Sequence, residues 1–248
     1  MTGGQGFVVA DRDVPEIKEQ GDTAAIRVTI DARVGSERLE QRLIRFARGR
    51  SQERVNTARH ELLFVVSGRG TVVVEGVEHP VEADSGVYIM EGDRYYVDNA
   101  GRDDLEVVSV LAPAEHSSNG TRRVVVRYAD RPTLPATRDR DFRYLVDVDA
   151  GCRDATQFLG TIRPGREGMH SHAYDEVIYV VDGEGAVHFD GWSRPIAAGS
   201  CIHLPPYTMH ILENSGSGPM RVLGVFHPSG DPASRAREEP MGSNLPPS

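Results

Sequence analysis

The chain repeats itself, and that constrains its fold more than any other feature. The segment Glu61-Leu-Leu-Phe-Val-Val-Ser-Gly68-Arg-Gly70 returns 115 positions later as Glu176-Val-Ile-Tyr-Val-Val-Asp-Gly183-Glu-Gly185. The same offset pairs Val72 with Val187, Gly76 with Gly191, Ala83 with Ala198 and Ser85 with Ser200, without a gap. It goes on to pair Asn99 with Asn214, Gly101 with Gly216 and Pro113 with Pro228. A second, shifted match joins VADRDVP near Val9 to YADRPTLP near Tyr128. Self-similarity at a fixed spacing marks a repeated structural unit, and each copy has the length of an ordinary domain.

The unit reads as strand after strand. Short apolar runs at 26–30, 62–66, 71–75, 87–90 and 105–111 are separated by Gly, Asn and Asp turns, and their counterparts follow in the second copy. That pattern predicts an all-β barrel or sandwich. The repeat also settles an ambiguous stretch. SERLEQRLIRFARGRSQ, residues 36–52, has the composition of an amphipathic helix, but its partner QFLGTIRPG is a short apolar run ending in a Pro-Gly turn. Residues 39–47 are therefore expected to be a strand. The expected organisation is a first barrel over 1–118, a second over 119–228 and a flexible tail over 229–248, laid over the surface or disordered. EHSSNG, residues 115–120, has loop composition and links the copies.

The chemistry gathers in the second copy, in PGREGMHSHAYDEVIYVVDGEG and GSCIHLPPYTMHILEN. His170 and His172 are two apart, so an extended strand turns both to one face, and Glu176 follows at an even step. His210 comes from another strand after a Pro-Pro corner. Three imidazoles and a carboxylate converging inside a barrel make a first-row transition-metal site.

These residues are spaced as in the cupin superfamily. Gly165, His170, His172, Glu176 and Gly183 resemble its first motif, with one residue fewer after the glycine. Gly199, Pro205, His210 and Asn214 resemble the second, with Tyr207 where the family has glycine. The resemblance implies two tandem cupin jelly-roll (double-stranded β-helix) barrels and a metal held by His170, His172, Glu176 and His210. In the first copy the equivalent positions are Val55, Thr57, Glu61 and Tyr95. Valine is no ligand and one carboxylate does not hold a first-row cation, so metal is expected in the second barrel alone.

Other side chains carry weaker expectations. His60 lies beside Glu61 but points to the opposite face of the strand. His203 alternates with Cys201 and is a candidate pocket wall, with His188 a weaker one. His227, His79 and His116 read as surface or turn residues. Tyr88, Tyr95 and Tyr96 read as core, Trp192 as a cap on the barrel rim, and Arg163 and Arg166 as solvated loop residues.

Composition excludes several function classes. A net charge of −9 argues against nucleic-acid binding. No apolar run approaches a membrane span, and MTGGQGFVVADRD lacks the basic and apolar regions of a secretory signal, so the expected location is cytoplasmic. Cys152 and Cys201 imply no disulfide framework. The expected protein is a bicupin enzyme acting on a small-molecule substrate, with one divalent transition metal per chain: Fe2+, Mn2+, Ni2+ or Co2+, with Zn2+ as a further candidate. Dioxygenase chemistry leads, because cupin dioxygenases share this ligand set, and Glu176 is the candidate catalytic residue. The alternatives are an oxygen-independent Lewis-acid isomerase, lyase or aminohydrolase, and a small-molecule-binding cupin without turnover. Exposed sheet edges suggest a homodimer, with Phe7-Val8-Val9 and the strand at 124–126 as candidates to pair across copies or chains.

Overall fold

The computed structural model describes residues 5–116 and 122–238. Most of the expected linker, and the end of the tail at 239–248, lie outside the described residues. The described chain is built of strands and four short 3-10 turns, and contains no helix long and apolar enough to cross a membrane.

Each half is built around one seven-stranded and one five-stranded sheet. The expected strands form close to where the repeat placed them, including the disputed one, Glu40–Phe46. Its residues alternate between core and surface, and it lies between Ala24–Ile30 and Leu105–Pro113 in an antiparallel ladder. Packing against two neighbours thus overrides the helical composition.

The long central strands are buried on both faces, and their period of two divides the core. In Arg59–Ser67, Leu63 and Val65 point into the first barrel, while Leu62 and Phe64 point at the other half. In Asp175–Asp182, Ile178 and Val180 point into the second barrel, while Val177 and Tyr179 face the first half. The chain therefore has three apolar cores: two barrel interiors and a third between the barrels.

The halves also exchange strands. Phe7–Ala10 pairs antiparallel with Ser200–Leu204 on the edge of the second seven-stranded sheet. Val125–Arg127 pairs with Ser85–Ile89 on the edge of the first. These segments do pair across copies, and the other half of the same chain covers both edges.

A buried carboxylate ties the halves further. His60 turns away from the first barrel's interior, as its parity requires, and its Nε2 lies 3.0 Å from Asp154 Oδ2. The same oxygen accepts the backbone N–H of Glu115 and of His116, each at 3.1 Å. His227, expected on the surface, is buried, with Nδ1 donating to the Asp154 carbonyl at 2.9 Å. The polar turn after it hid the fact that His227 ends a core strand, Met220–His227.

Candidate metal centre

His170 sits on a two-residue strand opposite His210, which opens the strand His210–Asn214. Glu176 lies on Asp175–Asp182 with its side chain on the interior face, in phase with Ile178 and Val180. The chain from His170 to Glu176 is not continuously extended, because it bends at Ala173 and Tyr174. The even spacing thus led to the right face although a bend intervenes. All four side chains are buried.

The three histidines gather closely. Their donor nitrogens lie within 4.8 Å of one another, and among the described residues no other group of His, Cys, Asp and Glu side chains gathers in that way. The triad is thus placed to hold a metal. His172 Nε2 stands 4.0 Å from Glu176 Oε2.

Backbone carbonyls set two of the ring tautomers. His172 Nδ1 donates to Ser234 O at 2.7 Å, and His210 Nδ1 donates to Thr208 O at 2.8 Å. A carbonyl only accepts, so Nδ1 carries the proton and Nε2 keeps its lone pair for the site. The backbone of His172 is fixed as well, since its carbonyl accepts the N–H of Tyr207 at 2.7 Å. Tyr207 adopts φ 63, and its counterpart Gly92 adopts φ 82. The left-handed turn that glycine makes easily in the first half is therefore made by tyrosine in the second.

Burial dominates the electrostatics. It pushes His170 far below the usual histidine range, His172 to about 3 and His210 to about 4, with neighbouring cationic groups acting in the same direction. The imidazoles are therefore neutral at physiological pH and fit to donate lone pairs. Burial also raises Glu176 to about 8, against the opposing pull of Arg235. Among the described residues the Glu176 carboxyl has no hydrogen-bond partner. A buried carboxyl left without one, 4.0 Å from His172 of the histidine triad, fits a cation better than an unfilled core.

The cavity at this centre is about 70 Å³. On that measure a single water needs roughly 10–15 Å³, so there is room for a few waters or a small molecule. Phe142, Phe158 and Val222 form apolar wall, and Tyr174 stacks on His172 at 4.6 Å and on Phe226 at 4.0 Å. Gly224 makes room for that wall: a Cβ there would come within 2.3 Å of the Phe158 ring. Arg140 and Arg235 complete the lining.

The start of the tail closes one side. Ala236 N–H donates to Ser171 O at 2.8 Å, Arg237–Glu238 pairs with His170–Ser171, and Pro232 lines the cavity.

A family model described as a cupin domain matches twice, over residues 42–111 and 158–226. The chain is a cupin. It carries two cupin domains, in line with its repeat and its paired barrels. A 61-residue stretch is 31% identical to an uncharacterized protein of Methanocaldococcus jannaschii, covering 24% of this chain and 49% of that relative, so the match spans about half the relative's length. Among solved structures, protein Ylba from E. coli, assigned to family model DUF861, superposes with a TM-score of 0.77 at 13% identity, over 93% of each chain. A mutant of Bacillus subtilis oxalate decarboxylase superposes with a TM-score of 0.75 at 14% identity, over 93% of this cupin and 79% of that chain. Another structure of that decarboxylase, studied for its Mn(II) centres, superposes with a TM-score of 0.73 at 15% identity, over 93% of this chain and 79% of that one. At such identities the likeness carries the fold.

The other sequence candidates lie elsewhere. His203 shares the Cys201 face of Ser200–Leu204, which turns toward the first half, and its Nε2 lies 2.7 Å from Asp175 Oδ1; it is no pocket wall. His188 lies on the face of its strand opposite the core residues Val187 and Phe189, 2.7 Å from Glu213. Trp192 stacks on Phe189 at 4.2 Å. Arg163 pairs with Asp141 at 3.0 Å on the surface. Tyr88 and Tyr95 are core. Sequence reasoning missed Arg140, Arg235 and Phe158, and the phase of Arg140 on its strand was the one signal available for any of them.

Proposed function

We propose that the second barrel is the active site of a metal-dependent enzyme acting on a small organic molecule. One divalent transition metal per chain is held by His170, His172, His210 and Glu176, and the first barrel holds none. The observation that carries this reading is the buried Glu176 carboxyl, without a hydrogen bond among the described residues, 4.0 Å from His172 of a triad of neutral histidines. Three imidazoles and one carboxylate suit Mn2+, Fe2+, Co2+ or Ni2+. The Mn(II) centres of the fold-related decarboxylase favour Mn2+ as the first to try.

When bound, such a cation polarises a ligand oxygen or activates small molecules at its open positions. The protein's own residues do the rest. Ser234 and Thr208 hold two imidazoles in one tautomer, Phe142 and Phe158 exclude water, and Glu176 supplies the only ligand charge.

The donor set supports a dioxygenase-type oxidoreductase as the first reading. A second reading, oxygen-independent acid–base chemistry, draws on a separate observation. No hydrogen bond among the described residues pins the Glu176 carboxyl, so it is able to carry a proton to or from a bound substrate. Elemental analysis of the purified chain, followed by oxygen uptake with a panel of enols and catechols, tests both. Metal near one per chain with substrate-dependent oxygen uptake supports the first reading. Metal with turnover that persists under argon supports the second. A chain that takes up no metal sinks the proposal.

A further inference from the structure

We propose that the segment 231–236 is a gate over the metal centre that also carries the outer partner of one ligand. Closed, it covers the cavity and sets the tautomer of His172; open, it admits substrate and loosens the metal. This deepens the reading of the cavity as a metal-dependent substrate site and rests on it.

The walls of the cavity differ in how firmly they are held. Phe142, Phe158, Val222 and Ile178 stand on Arg140–Val146, Thr156–Ile162, Met220–His227 and Asp175–Asp182, which follow one another in a single antiparallel ladder. Another side is built by the segment 231–236, with Pro232 and Arg235 in the lining. Within that segment Pro232 alone is buried, and Asp231, Ser234 and Ala236 are exposed. Its turn is local: Asp231 accepts the N–H of Ala233 on Oδ1 at 2.8 Å and that of Ser234 on its carbonyl at 3.0 Å. Where the chain leaves the barrel it is anchored, since Gly230 N–H donates to the buried Thr156 Oγ1 at 3.1 Å and Ser229 Oγ lies 3.0 Å from the same atom. Beyond the anchor, main-chain groups tie the segment down: Ser234 O at His172 Nδ1, Ala236 N–H at Ser171 O, then the short pairing with His170–Ser171. A segment with little buried apolar surface and hydrogen bonds near solvent opens at lower free energy than the ladder around it. None of His170, His172, Glu176 and His210 is more than 6% exposed, so entry requires a wall to part, and this wall parts most easily. The anchor at Thr156 is the fixed end about which it swings.

Opening also acts on His172. It takes away the acceptor at Nδ1, and the ring is then free to turn and to carry its proton on Nε2, the atom a metal needs. The closed form therefore holds metal more tightly than the open one. Such coupling is reciprocal, so bound metal favours closure by the same factor. Substrate enters while the segment is open, and closure then completes the orientation of the ligands.

The test uses the full chain and Ala236→Pro, which removes the N–H held by Ser171 and leaves the Ser234 carbonyl in the chain. In the metal-free proteins, diethyl pyrocarbonate modifies neutral imidazoles, and peptide mass spectrometry reads the label. Ala236→Pro should label the triad at least about tenfold faster, with the half-buried His79 of the first half as an unchanged reference. Its affinity for Mn2+ should fall about 10- to 100-fold, the scale on which outer partners of metal ligands act. In the native chain, saturating Mn2+ should slow amide hydrogen exchange over 231–236 by a similar factor. Equal labelling of the two proteins, equal Mn2+ affinity, or exchange indifferent to Mn2+ would each overturn the gate. The two readings part cleanly. A native chain that takes up no Mn2+ sinks the metal site, and labelling then decides on the cover alone; Mn2+ uptake that Ala236→Pro does not alter sinks the gate and leaves the metal site standing.

Discussion

Glu61 and Glu176 occupy equivalent places in the two halves and have opposite surroundings. Glu61 Oε2 accepts the hydroxyl of Tyr95 at 2.9 Å, and Oε1 accepts that of Ser109. At the same positions in the second half stand His210 and Gly224. Glu176 therefore meets an imidazole and an absent side chain, and among the described residues its carboxyl is left without a hydrogen bond. The histidine pair is replaced in the first half by Val55 and Thr57, both exposed. One carboxylate has become a fastener and the other has stayed available. The buried glutamate is thus tied by two hydroxyls in the first half and by none among the described residues in the second.

The largest expected effect separates the halves outright. His170→Ala or His172→Ala should empty the metal site and abolish activity, while Val55→Ala should leave metal content and activity as they are. Metal analysis and turnover together check this. Equal metal loss in all three variants would erase the contrast.

Glu176→Gln sharpens it. The Glu176 carboxyl, raised to about 8, must shed its proton to serve as a donor. Metal affinity of the native chain should therefore rise by up to about tenfold per pH unit toward pH 8 and then level off. In the metal-free chain the same group favours folding at pH below its ordinary value of 4.5, and that contribution is lost as pH rises through about 8. In Glu176→Gln the affinity should be lower and most of its rise with pH above 6.5 gone. A titration series with parallel curves for the two proteins would show that Glu176 is not a ligand.

Tyr95→Phe tests the fastened side. Removing one of two donors to a buried carboxylate should cost about 1–3 kcal/mol of stability, with metal content unchanged. Denaturant unfolding measures the first quantity and elemental analysis the second. The smallest effect concerns the turn. Tyr207→Gly removes a left-handed tyrosine, and the relief should outweigh the added chain entropy, for a gain of up to about 1 kcal/mol without loss of metal. A drop in melting temperature would show that the tyrosine ring contributes packing there.

The barrels and the histidines were legible in the sequence because a repeat displays its own alignment. Residues 39–47 could be assigned as strand only by comparison with their partner, since taken alone they have helical composition. The imidazoles announced themselves by motif spacing. Arg140 and Arg235 did not, because one is a charged residue at the first position of its strand and the other lies in a segment with the composition of a tail. Their meeting depends on how that segment folds back over Ser171, which no local pattern encodes. His227 was expected at the surface for a related reason: it is a polar residue buried by a partner distant in sequence, Asp154. Glu61 was seen as a conserved type between copies, but the hydroxyls that satisfy it come from two other strands.

The strand exchange bears on why a barrel without the histidines stays in the chain. Removing the first half would take Phe7–Ala10 with it and bare the edge of Ser200–Leu204. That strand neighbours Asp175–Asp182, which carries Glu176. An uncovered edge beside the metal centre invites pairing with other chains. It would also strip the outer face of Val177 and Tyr179, which pack against the lost half. Loss of the first half would therefore damage the packing and the sheet edge of the second as well.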